Sequence, residues 1–346
     1  MSSPTLSVAF FLFFLLLLIS SSTLPVASMD CNKGDREALL KIKEGLGNPP
    51  QLSTWIPATN CCAWDNLYCD DAGRVYNVYI YNADVTAALP VAFGDLSAIQ
   101  SLSLQDMPGL TGPIPRSFAK LSHLYLLSIS NTSISGPVPD FLTSTNLSAL
   151  TLPTNKLSGP IPPALSRLPY LRYVDLSHNM LSGPIPPGLL HGEYQFLILS
   201  NNRLTGAIPS SYGQGDVNTI DLGHNRLTGY PSFLFDRTRP TVKLDLSWNE
   251  LAFDIAKAAL PWHLEYLDLS HNRIRGGVPK SLKDLYKLLV LNLTYNELCG
   301  EIPTGRAMAY HGAECYLHNK CLCGTPLPPC RATERATVAA QKPHSC

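Results

Sequence analysis

The chain is 346 residues long and carries 26 Lys+Arg against 26 Asp+Glu, so its net charge is zero, which excludes the basic excess of a typical nucleic-acid binder. That length is large for one ordinary hydrophobic core, whereas a repeat array escapes the limit because each unit packs only on its neighbours. The 29 prolines and 23 glycines suggest disorder by composition alone, but their regular spacing points the other way.

In chain order, the first predicted element is a targeting segment. Phe10 to Ile19 is an unbroken apolar run, followed by serines and by Val26-Ala27-Ser28, a small-residue pattern that predicts cleavage after Ser28. The run is short for a bilayer span, and it lacks a basic flank beyond the α-amino group. We therefore read residues 1–28 as a secretory signal and expect a soluble, secreted product without membrane insertion.

Residues 29–74 read as an N-terminal cysteine-rich cap. Asp35 to Leu46 is a predicted short helix, with Asp35 as N-cap, Ala38, Leu39, Ile42 and Leu46 as its apolar face, and Gly47 as its stop. Trp55 and Trp64 are expected to lie over the first coil. Cys31, Cys61, Cys62 and Cys69 belong to this cap; Cys299, Cys315, Cys321, Cys323, Cys330 and Cys346 cluster at the other end, with none between. Such usage fits an oxidising compartment, and disulfides are a better reading of Cys321-x-Cys323 than a metal motif.

Residues 75–303 read as ten leucine-rich units. The stretch Leu171-Arg-Tyr-Val174-Asp-Leu176-Ser-His-Asn179-Met-Leu181-Ser-Gly183-Pro-Ile185-Pro186 recurs along the chain. Anchored on the second strand leucine, the copies fall at Ile80, Leu104, Ile129, Leu152, Leu176, Leu199, Leu222, Leu246, Leu269 and Leu293, spaced 23 to 25 residues apart. Leu-x-Leu in a strand turns both leucines inward and their neighbours outward. The following asparagines, Asn155, Asn179, Asn202, Asn225, Asn249, Asn272 and Asn296, sit where the chain turns and are suited to pairing backbone groups between coils. Gly-x-Ile-Pro then bends the chain, glycine allowing a positive φ and proline an extended path. The expected fold is an α/β-type solenoid, a right-handed leucine-rich-repeat superhelix. Its parallel concave sheet has strands about 4.8 Å apart, roughly 45 Å long in all. Residues 304–330 form a second cysteine-rich cap and 331–346 a tail. The regularity lapses at Phe253-Asp-Ile255, which lacks Gly-x-Ile-Pro, and at the shortened Gly229-Tyr-Pro231.

The Leu-x-x-Leu-x-Leu-x-x-Asn-x-Leu-x-Gly-x-Ile-Pro unit resembles the plant extracellular class of leucine-rich repeats, and Trp55…Cys61-Cys62-Ala63-Trp64…Cys69 resembles that class's N-terminal cap. Ten units closed by Asn319-Lys-Cys-Leu-Cys-Gly-Thr-Pro-Leu-Pro-Pro-Cys330 resemble the polygalacturonase-inhibiting proteins over about residues 29–330. The resemblance implies disulfides Cys31–Cys61, Cys62–Cys69, Cys299–Cys321 and Cys323–Cys330. Cys315 and Cys346 depart from the family pattern, and either pair with each other or stay free. The resemblance also implies a monomeric glycoprotein of plant defence without a cofactor. Its partner would be a fungal or insect endopolygalacturonase, with cell-wall pectin as a further candidate.

The strand pattern selects the outward residues of the concave face, of which Tyr173, Asp175, His178, Phe196, Ile198, Asp221, His224, Lys243, Asp245, Trp248, Tyr266, Asp268 and His271 are the candidate partner contacts. Immediately before the anchors stand Asp175, Ile198, Asp221, Asp245 and Asp268; two positions after them stand His178, Asn201, His224, Trp248, His271 and Tyr295; other outward positions are Tyr79, Tyr81, Tyr173, Phe196, Lys243 and Tyr266. Three consecutive aspartates about 4.8 Å apart repel by roughly 1 kcal/mol per pair even in water, a cost that Lys243 and nearby histidines would offset and a basic partner would relieve. Exposed aromatics beside them are typical anchors of protein interfaces. Histidines near an ordinary pKa of about 6.5 predict weaker binding in acid. Sequons at Asn131, Asn146 and Asn292 predict glycans, those at Asn131 and Asn292 flanking the concave face and confining a protein partner to repeats four to nine.

Catalysis is not expected: Ser, His and Asp recur with the repeat, without a nucleophile elbow, zinc helix or phosphate loop. The alternative binding readings are a receptor-like or developmental protein on the same scaffold and, less favoured, an ice-binding protein, which calls for a flat array of similar small polar residues.

Overall fold

The computed structural model describes residues 30–330. The signal segment, the tail and Cys346 lie outside the described residues. Each anchor is almost wholly buried, from Ile80 at 0% to Leu293 at 1% exposed, because no single coil encloses its own apolar edge and stacking makes one core.

Ten strands, one per coil, form the concave sheet: β1 (Val75–Tyr81), β2 (Ser101–Gly112), β3 (Leu126–Gly136), β4 (Ala149–Thr151), β5 (Tyr173–Asp175), β6 (Gln195–Ile198), β7 (Val217–Asp221), β8 (Lys243–Asp245), β9 (Tyr266–Asp268) and β10 (Val290–Asn292). Neighbours pair in parallel throughout. A short strand, Leu67–Cys69, closes the N-terminal edge by pairing antiparallel to β1.

The repeat asparagines act as expected. Asn179 donates from Nδ2 to the carbonyls of Leu152 (2.9 Å) and Leu176 (3.1 Å), and its Oδ1 accepts from the Leu157 N–H (3.0 Å). The same pattern repeats at Asn225, Asn249 and Asn272. In the first three coils Ala83, Met107 and Thr132 occupy that position, and there β2 and β3 run on around the corner as long strands.

Sequence reasoning missed a second parallel ladder beyond that corner. Lys156–Gly159, Met180–Gly183, Arg203–Ala207 and Arg226–Thr228 pair successively onto the distal part of β3. Gly159 and Gly183 end their strands and Gly206 stands one residue before the end of its own, at φ of 82°, 78° and 81°. On the return side the expected bend after proline is a single 3-10 turn: Pro115, Pro162 and Pro279 precede such turns, and Phe118, Leu165 and Leu282 fill the core from them. The ladder fails at the irregular eighth coil, where Asp254 makes only an isolated bridge to Arg275 and stacked Tyr230 and Phe253 (4.8 Å) fill the gap.

The N-terminal helix corrects one expectation. It spans Lys33–Gly45, and its N-cap is Asn32, whose Oδ1 accepts from the Gly34 (2.9 Å) and Asp35 (3.2 Å) N–H groups. Asp35 lies in the first turn, 2% exposed, and ties the helix to the first coil by accepting from Arg74 Nε (2.8 Å) and from the Val75 N–H (2.9 Å). Trp55 and Trp64 stack on each other in the cap core at 5.7 Å.

All four expected disulfides are present: Cys31–Cys61, Cys62–Cys69, Cys299–Cys321 and Cys323–Cys330. The C-terminal cap is itself an eleventh coil. Tyr316, fully buried, takes the anchor place; Asn319 takes the asparagine place, accepting from the Leu298 N–H (3.0 Å); and Cys321–Cys323 pairs with Glu297–Glu301. Cys315 has no disulfide partner among the described residues.

Candidate functional site

The candidate site is a set of parallel columns on coils five to ten, each column one repeat position read across the stacked strands. The first column, three residues before each anchor, sets Tyr173 beside Phe196, then Thr219, Lys243, Tyr266 and Val290. The Tyr173 and Phe196 rings lie 5.3 Å apart. The second column runs Asp175, Ile198, Asp221, Asp245, Asp268, Asn292 in register. Every predicted member of both columns is where the spacing put it; Thr219, Val290 and Asn292 complete them.

Asp175, Asp245 and Asp268 are held within their own coils, and Asp221 by the next. Asp175 and Asp245 each accept from the backbone N–H (3.0 Å) and hydroxyl (2.6 Å) of the serine two residues on, Ser177 and Ser247. Asp268 accepts from the Ser270 N–H (2.9 Å) and from Asn292 Nδ2 (3.0 Å). Asp221 has Gly223 in the serine place and instead pairs with Lys243 Nζ at 2.7 Å. Lys243 also lies 5.1 Å over the Tyr266 ring, whose hydroxyl donates to Asp245 (3.3 Å). Relief of the charge ladder thus comes from Lys243, serine, tyrosine and asparagine.

Burial, then the neighbouring Asp221 and Asp268, pushes the Asp245 carboxyl above its ordinary range, against the pull of Ser247. Burial, then Asp245 and the other two carboxylates, drives the Tyr266 phenol well up. Tyr173 rises through burial and Asp175.

The third set departs from expectation. His178, His224, Trp248 and His271 lie beyond the strand ends, at φ of 52°, 54°, 51° and 53°, and so form a rim where the chain leaves the sheet. From coil seven onward this rim is one continuous stack. His224 to Trp248 is 5.1 Å between ring centroids, Trp248 to His271 is 3.6 Å, His271 to Tyr295 is 4.1 Å and Tyr295 to His318 is 4.1 Å, with planes within 16° of parallel. His318 was hidden in the unrecognised eleventh coil; Cys315-Tyr-Leu-His-Asn319 carries the repeat signal once tyrosine is allowed as anchor. His178 stands apart, with Asn201 Nδ2 3.3 Å from its Nε2. Burial lowers the His271 pKa, the Asp268 charge opposing and His224 and His318 adding to the fall.

The sequons fall differently from one another. Asn131 donates to Asp106 (2.8 Å) on the rim, Asn292 sits within the carboxylate column and Asn146 is exposed beyond the turn Asp140–Ser144. No helix among the described residues is long and apolar enough to cross a membrane.

Comparison with known proteins bears on what such columns serve. A leucine-rich-repeat N-terminal domain model matches residues 32–70, and a leucine-rich-repeat model matches residues 170–191, 195–214 and 263–285. The chain is 49% identical to polygalacturonase inhibitor 1 of Oryza sativa subsp. japonica, covering 94% of this chain and 98% of the relative. It is 42% identical to polygalacturonase inhibitor 2 of Arabidopsis thaliana, covering 92% and 98%. Among solved structures, a plant ice-binding protein superposes with a TM-score of 0.84 at 40% identity, covering 87% of this chain and 99% of that one.

Proposed function

We infer the mode of action from one premise: the chain belongs to the family of plant polygalacturonase inhibitors, and it acts by binding polygalacturonase, not by catalysis. In our reading the carboxylate column of coils five to ten and the stacked rim of coils seven to eleven dock on a basic surface beside the cleft of a fungal or insect endopolygalacturonase. The enzyme's access to pectin is then blocked. The observation that carries this is the register of Asp221, Asp245 and Asp268 next to an exposed row of rings. Like charges held in line by the stacked coils are pre-organised for a cationic partner, and a basic partner relieves their mutual repulsion. The stacked Trp248 and Tyr295, 48% and 46% exposed, supply rigid contact area. We place the action in the cell wall, with the protein acting as a monomer.

Ice binding has less support. The docking half mixes carboxylates, a lysine, phenols, imidazoles and an indole, which is not a flat lattice of similar small groups. Reducing-sugar release from polygalacturonate, measured against a panel of fungal and insect enzymes, tests the proposal. Inhibition of at least one enzyme is expected; none across the panel would turn the reading to a receptor-like binding protein.

A further inference from the structure

The N-terminal half of the concave face differs in kind from the docking half. Strand pairing sets Tyr79 beside Ser103 and then Ser128, and Tyr81 beside Gln105 and then Ser130, all uncharged. The Tyr79 and Tyr81 rings are stacked 5.2 Å apart with planes 20° from parallel, and they are 37% and 50% exposed. Gln105 is fixed between them and the sheet: its Nε2 donates to the Ser103 hydroxyl (3.0 Å) and its Oε1 accepts from the Tyr79 hydroxyl (3.3 Å). Ser128 is mostly covered by its neighbours, but its hydroxyl is not one of the buried groups and opens onto the concave face.

We propose that this half binds a neutral, extended polysaccharide chain of the β-linked kind, laid across the strands. The apolar C–H face of a pyranose ring stacks on tyrosine, while its hydroxyls pair with a fixed amide and open serine hydroxyls. A uronate finds no cation among these residues, and a protein segment finds no apolar pocket for an anchor side chain. Because these residues lie outside the proposed enzyme-docking columns, enzyme inhibition serves as an independent readout.

The test is titration calorimetry with cellohexaose, and with hexagalacturonate as the charged comparison, on the whole protein. We expect cellohexaose to bind, and the double variant Tyr79→Ala/Tyr81→Ala to bind it about tenfold more weakly with polygalacturonase inhibition unchanged. Tyr79→Phe/Tyr81→Phe, which keeps the stack, is expected to retain binding, and Ser128→Val to weaken it. The proposal is overturned if the wild type does not bind cellohexaose, if the alanine variant binds it equally, or if the tyrosine-dependent ligand is hexagalacturonate.

Discussion

Asp245 is the most crowded carboxylate of the column, flanked by Asp221 and Asp268 in adjacent strands and largely withdrawn from water. Its folded pKa is raised, so the protonated form is the one that folding favours: ionisation above that pKa costs stability, and the cost fades as pH falls through it. Asp245→Asn keeps an acceptor for the Ser247 N–H and removes the charge. It is expected to raise Tm at neutral pH, with the gain shrinking in acid, while weakening inhibition; melts across about pH 4.5 to 7 check this. The same upward shift predicts weaker inhibition in acid, as Asp245 neutralises sooner than an ordinary carboxylate when pH falls. His271, whose pKa is lowered, joins only below the usual histidine range, adding positive charge beside the column. An inhibition constant independent of pH across that window would contradict both effects. Asn225 makes the opposite case, a residue purely of structure. Asn225→Ala leaves the Leu204 N–H and the carbonyls of Leu199 and Leu222 without their partner inside the core, and is expected to cost on the order of 2–3 kcal/mol in denaturant unfolding.

The rim stack shows what the repeat wording hides at the level of elements. His224, Trp248, His271 and Tyr295 are legible as one repeat position, because spacing alone assigns positions. That they lie past the strand ends, at positive φ and ring on ring, depends on how the backbone turns at the corner of each coil, which no spacing reports. Trp248 joins the two sides of the stack and is half exposed. Trp248→Ala is therefore expected to raise the inhibition constant about tenfold while leaving Tm nearly unchanged, a split that a core role would not give. The N-terminal helix shows the same division. Its apolar face was readable from Ala38, Leu39 and Ile42, but Asp35 looked like a cap because its true role depends on Arg74, 39 residues away in sequence. The second ladder was missed because Lys156–Gly159 and its counterparts carry one buried leucine each, too little alternation to read as strands.

At the scale of the whole molecule, the sequence reported the solenoid well because each coil repeats the same core contacts, so one motif constrains the entire stack. It reported the site in part: the two strand-face columns follow directly from the period, whereas their internal pairing does not. Lys243 reaches Asp221 because Gly223 leaves that carboxylate without a serine, a relation visible only when coils are stacked. The ends were least legible, since the eleventh coil replaces its anchor leucine with Tyr316. The account rests on the claim that carboxylates one coil apart form a single docking surface. Inhibition constants for two triple neutralisations test it most directly: Asp221→Asn/Asp245→Asn/Asp268→Asn in the column, and Arg203→Gln/Arg226→Gln/Arg273→Gln, exposed charges just past the corner of the coils. The account predicts a rise of about a hundredfold for the carboxylate triple and less than about threefold for the arginine triple. A tightly inhibiting carboxylate triple beside a disabled arginine triple would contradict it.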